Sequence, residues 1–203
     1  GMAADWYLQQ GQPLIALNYL QTAGLFSEAE LLLSQYGIAL VAGKWLPGLA
    51  DVMERIPQEM AAKRGWLALF SGISKQQRQP QEAHEWLELA RTRFVATREV
   101  HGELLALTFQ VVQCLIAGAN FSLGAEAVLR IEEILSQYQE QLDSFYQASG
   151  HGALAIGAIF FNQDLASADL HVREGLQFAI KSSSVELQVP LRLFLAYLGL
   201  LQA

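Results

Sequence analysis

Residues 66–90 read WLALFSGISKQQRQPQEAHEWLELA, and this stretch decides the fold. Trp66, Leu69 and Phe70 recur at helical spacing on the first half. Gln79-Pro80 then breaks the pattern. Ala83, Leu87 and Ala90 step by four and three on the second half. Two amphipathic segments joined by a short turn predict a helical hairpin, because each segment has one apolar stripe and needs a neighbour to cover it. Pro suits the first turn of a helix, where its missing N–H costs nothing.

The same punctuation recurs at Phe26-Ser27-Glu28-Ala29, Phe121-Ser122-Leu123-Gly124-Ala125 and Leu165-Ala166-Ser167-Ala168. Ala83, Ala125 and Ala168 are 42 and 43 residues apart. A period of about 40 residues is the mark of stacked helical hairpins. Further stripes agree: Ala29, Leu33, Tyr36 and Leu40; Leu46, Leu49, Met53 and Ile56; Val128, Ile131, Leu135, Tyr138 and Leu142. Strand-like alternation is nearly absent. Helices are predicted at 3–10, 13–23, 27–40, 45–55, 58–77, 81–97, 100–118, 124–141, 144–162, 166–181 and 184–201. Ser27 with Glu30, and Ser183 with Glu186, fit the capping-box spacing. Gly24, Gly37, Gly43 and Pro57 read as stops or turns.

The expected fold is all-α, a right-handed α-solenoid of about five hairpins. It is read as one array over residues 1–203, with linker-proximal helices at 1–57 and repeats at 58–203. Large aromatics on a first helix and an Ala-x3-large-x2-Ala second helix resemble the tetratricopeptide repeat. The unit is longer than that repeat, and Phe70 stands where a Gly is expected.

Composition narrows the function classes. Of 203 residues, 52% are apolar and 16% charged, so the chain is not disordered. The net charge of −7 lacks the basic footprint of duplex nucleic-acid binding and disfavours an anionic membrane surface. The single cysteine, Cys114, excludes an internal disulfide and suits a reducing, cytoplasmic setting. The most membrane-like runs, 152–161 and 191–201, are shorter than the roughly 20 residues of a spanning helix. No membrane association is expected. Gly1 reads as a cloning remnant, and the apolar end suggests a piece of a longer protein. Dimerisation through the C-terminal helix, residues 191–201, is an expectation of the same reading.

Residues 3–37, AADWYLQQGQPLIALNYLQTAGLFSEAELLLSQYG, supply Ala3, Ala4, Trp6, Gly11, Ala16, Ala23, Gly24, Phe26, Ala29, Leu32 and Leu33. This grammar resembles the segment following the ATPase and winged-helix region in MalT-like, LuxR-type transcription regulators. Ile56-Pro57 matches the Leu-Pro-like pair that follows there, and Trp66–Ala90 fits the array beyond it. No Gly-x-x-x-x-Gly-Lys-Ser/Thr loop and no basic helix-turn-helix occur in these residues. The resemblance implies a sensor array that receives a small-molecule inducer or a protein partner and relays it to an ATPase. The alternative is a stand-alone adaptor for protein–protein interaction.

Residues suited to chemistry read blandly. Gly150-His151-Gly152-Ala153-Leu154-Ala155 formally fits a dinucleotide loop, but the preceding residues read as helix and the glycines as close-packing positions. His84, His101, His151 and His171 show no i, i+4 pair and no nearby cysteine, so no metal site is expected. Glu132 and Glu133 are adjacent and diverge around a helix. Cys114 has no neighbouring cation and reads as core. Trp6, Trp45, Trp66 and Trp86 read as hairpin packing. No catalytic residue and no cofactor are expected. The repeat register places Arg64, Ser71 and Lys75 on a concave groove, followed by Thr108 and Val112, then Ser149 and Ile156.

Overall fold

The computed structural model describes residues 2–42, 46–118 and 121–201, and every regular element among them is helical. The chain divides into two compact units, Gly1–Gly102 and Glu103–Ala203.

The first unit contains α1 (Met2–Gln9), α2 (Pro13–Thr22), α3 (Phe26–Ala42), α4 (Leu46–Arg55), α5 (Gln58–Ala62), α6 (Gly65–Lys75) and α7 (Pro80–Thr97). α2 packs on α1 and α3, α3 on α4, α5 on α6 and α6 on α7, and α6 also packs on α3 and α4. The stripe read from residues 66–90 is the core: Leu69, Phe70, Ala83, Leu87 and Ala90 are fully buried. Gly24 ends α2 at φ +71°, a left-handed conformation open to glycine. The Leu25 N–H then donates to Leu20 O at 2.9 Å and the Gly24 N–H to Gln21 O at 3.1 Å, closing the helix end.

Four expectations for this unit need correction. Gly37 does not stop a helix, since α3 runs through it to Ala42. Its missing side chain makes room for the Phe70 ring on α6. The expected helix 58–77 is two helices, broken at Arg64, which is extended at φ −128°, ψ 123°. The break frees the first N–H groups of α6, and Glu30 takes them: the Trp66 N–H donates to Glu30 Oε1 at 3.3 Å. Glu30 therefore does not close a capping box with Ser27. Ser27 Oγ accepts from Arg64 Nη2 at 3.3 Å instead. Trp6 is 55% exposed, packed edge-on against Tyr7, while Ala4 makes the buried contact of α1. Trp66 is buried as expected. Trp45 and Gly43 lie outside the described residues.

The second unit contains nearly all of α8 (Val100–Ala117), then α9 (Phe121–Gln137), α10 (Ser144–Gly157), α11 (Leu165–Lys181) and α12 (Val185–Leu201). A wider turn at Ala158–Asn162 extends α10. Asp143 and Asp164 start α10 and α11, each accepting two backbone N–H bonds on its side chain. Glu186 accepts from Ser184 Oγ at 3.0 Å, and Ser183 sits at φ 56°, so the second expected capping box is also not formed. Ala148, Ala155, Ala158, Ala168, Val172 and Ala179 fill the α10–α11 seam, with Leu191 and Leu198 of α12 packed against them. Small side chains let these helices lie close together.

Gly150 and Gly157 sit inside α10 with no strand before it, against Leu135 and Val128 of α9. They serve packing, as the sequence suggested. Cys114 is buried at 4% exposure, and burial pushes its thiol pKa up. Among the described residues only α8 has the length and apolarity of a short membrane span, and 56% of it is buried within the protein. On α12, Val185, Val189, Leu193 and Leu200 form an exposed apolar row, whereas Leu191 and Leu198 face inward.

Candidate ligand cavity

The α10–α11 hairpin brings His151 beside His171 and Glu174. His171 and Glu174 are three residues apart on α11, hence on one face. His151 reaches them because α11 carries no side chain at Gly175. A Cβ there would lie 3.2 Å from His151 Cβ and 3.4 Å from the Ala148 carbonyl oxygen.

The polar atoms converge. His151 Nδ1 lies 3.3 Å from His171 Nδ1 and 3.3 Å from Glu174 Oε2. His171 Nδ1 lies 3.7 Å from the same oxygen. Phe178 stacks on the His151 ring, 5.7 Å between centroids and 11° from parallel. Burial lowers the His151 pKa from 6.5, outweighing the pull of the Glu174 carboxylate, while His171 pushes it further down. Burial thus favours the neutral imidazole, in which one ring nitrogen carries a lone pair.

These three groups line a cavity of about 380 Å³. Leu135, Leu154 and Phe178 give it apolar wall. Glu132, Ser136, Gln139 and Gln147 add polar groups. Gln147 is held in place by donating to Leu142 O at 2.8 Å and Gln139 O at 3.3 Å. Apolar walls with a few convergent polar groups are what a small-ligand site needs.

The seven residues expected on a groove do not line this cavity. In the first unit Arg64 lies 3.9 Å from Glu30 Oε2 and ties α6 to α3. Lys75 donates to Gln79 Oε1 and Glu82 Oε2, each at 2.9 Å, and ties α6 to α7. Ser71 is buried. In the second unit Ser149 is buried, while Thr108, Val112 and Ile156 are half-buried. Thr108 Oγ1 is enclosed without a hydrogen-bond partner. A second cavity of about 480 Å³ lies in the first unit, lined by Gln58, Glu59, Glu82, Glu85, Trp86 and Leu89 among others. Trp86 is half-buried and contributes an apolar wall to it.

Sequence reading treated His151 and His171 as scattered. The signal that could have joined them was the hairpin itself, which folds α11 back along α10.

No protein family matches this chain. Neither curated proteins nor solved structures give a match.

Proposed function

We propose that this chain is a non-catalytic, ligand-receiving segment of a MalT-like, LuxR-type transcription regulator. In this reading it binds an inducer or partner and relays it to ATPase and DNA-binding regions elsewhere in the regulator. The α6–α7 and α10–α11 hairpins support the finer fold reading, a right-handed solenoid of tetratricopeptide-like pairs. The resemblance of residues 3–37 supports the family. The observation that carries the receiving role is the cavity between α9, α10 and α11, with three ionisable groups converging on it.

A second reading is a stand-alone adaptor, and the exposed apolar row on α12 favours it. The gene's complete reading frame separates the two. A nucleotide-binding loop upstream and a basic helix-turn-helix downstream support the regulator. A frame lacking both overturns it in favour of the adaptor.

A further inference from the structure

We infer that His151 Nδ1, His171 Nδ1 and Glu174 Oε2 form a binding site for a divalent transition-metal ion, with Zn²⁺ the best fit. The inference rests on the receiving role of this cavity and names the chemistry of what it receives.

The first argument is proton bookkeeping. As a carboxylate, Glu174 offers only acceptors at Oε2. If both Nδ1 atoms carry protons, the 3.3 Å nitrogen–nitrogen contact is repulsive. If one carries a proton, the bare nitrogen faces the carboxylate oxygen lone pair to lone pair. If neither does, all three contacts repel. With Glu174 as a carboxylate, no proton assignment on the two rings makes all three contacts attractive. One cation among the three atoms does.

The second argument is size. Zn²⁺ bonds of about 2.0–2.1 Å in a tetrahedron separate neighbouring ligand atoms by about 3.3–3.4 Å. An octahedral ion with bonds of about 2.1 Å brings them to about 3.0 Å. The observed separations are 3.3, 3.3 and 3.7 Å. Two of them match a tetrahedral edge, and the third is longer, further still from the octahedral spacing. Two imidazoles and one carboxylate also favour Zn²⁺ over Mg²⁺ or Ca²⁺, which take oxygen ligands.

The third argument is preorganisation. The His151 and His171 side chains are only 15% and 20% exposed, and Phe178 and Gly175 fix the His151 ring. The cavity leaves the fourth position to water or to a ligand atom.

The test uses the whole chain without a histidine tag. Zn²⁺ is titrated by calorimetry, and Co²⁺ is added as a spectroscopic probe of geometry. The wild type is expected to bind one equivalent of Zn²⁺ and to give the intense visible absorption of tetrahedral Co²⁺. Glu174→Gln and His171→Asn should each weaken Zn²⁺ binding by more than the roughly 10–100-fold loss typical of an outer-sphere change. His84→Asn, in the first unit, should bind like the wild type. Absence of stoichiometric binding, or affinity unchanged in both cavity variants, overturns the metal site. An organic ligand that enters the cavity of a protein indifferent to Zn²⁺ also overturns it, but leaves the receiving role standing. Silence toward metal and organic ligands alike overturns both.

Discussion

Gly37 on α3 lies directly under the ring of Phe70 on α6. A Cβ at residue 37 would overlap the ring atoms Cζ, Cε1 and Cε2. The repeat pattern wants a small residue on α6, and this chain has Phe there. The small residue sits on the facing helix instead, and Phe70 is fully buried. The pair therefore conserves volume across the α3–α6 contact.

Gly37→Ala should overpack this contact and destabilise the protein by about 1–3 kcal/mol. Phe70→Leu alone also costs stability, but it makes room at residue 37. The two changes should be clearly non-additive in a denaturant-unfolding cycle, with Gly37→Ala milder on the Leu background. Strict additivity would show that the ring does not occupy that space.

Glu103 and Arg130 make a second coupled pair. Arg130 Nε donates to Glu103 Oε1 at 2.8 Å, and Glu103 is 5% exposed. Hydrogen bonds to Glu103 and Glu133 keep the guanidinium firmly protonated. Arg130→Ala strands a buried carboxylate and should cost about 2–3 kcal/mol, below the fully buried range because Arg130 is itself partly exposed. Replacing both residues with apolar ones should recover most of that loss in urea unfolding.

Glu30 gives a pH signature. Burial raises its carboxyl pKa above 4.5, against the lowering effects of the Trp66 N–H, Arg64 and the Gly65 N–H. As pH rises from below 4.5, the unfolded state ionises first. The contribution to stability is full below 4.5 and is lost as pH rises through the raised folded value. Glu30→Gln keeps an acceptor for Trp66 without the buried charge. The wild type should therefore lose stability relative to this variant between pH 4 and pH 7, measured as the difference in denaturation midpoints. A constant difference would contradict the assignment.

Arg98 closes α7 at φ 57°, with the Glu99 N–H donating to Phe94 O at 2.9 Å. An L-residue is strained there and glycine is not. Arg98→Gly should stabilise by about 0.5–1 kcal/mol, seen as a raised melting temperature.

The helices were legible because their apolar stripes are local: Ala83, Leu87 and Ala90 announce α7 within eight residues. The break at Arg64 was not legible, since the acceptor that satisfies the freed N–H groups, Glu30, lies on another helix. Gly37 misled for the same reason: its partner, Phe70, lies far along the chain. Arg64 and Lys75 were expected to face a groove, yet each bridges two helices. Their double substitution is therefore expected to lower thermal stability. The cavity was hidden because His151 belongs to one helix and His171 and Glu174 to the next. Their meeting depends on the register of α10 against α11, which the alanine and glycine seam sets.

The most direct test of the receiving role is a thermal-shift panel of sugars, nucleotides, amino acids and short peptides on the wild type and Ser136→Trp. Ser136 is exposed at the cavity wall, so the indole blocks access without disturbing the core. A ligand that binds the folded state raises the melting temperature with concentration. The account predicts at least one compound class that shifts the wild type and leaves Ser136→Trp unmoved. A panel silent on both proteins, or a shift equal in both, would contradict it.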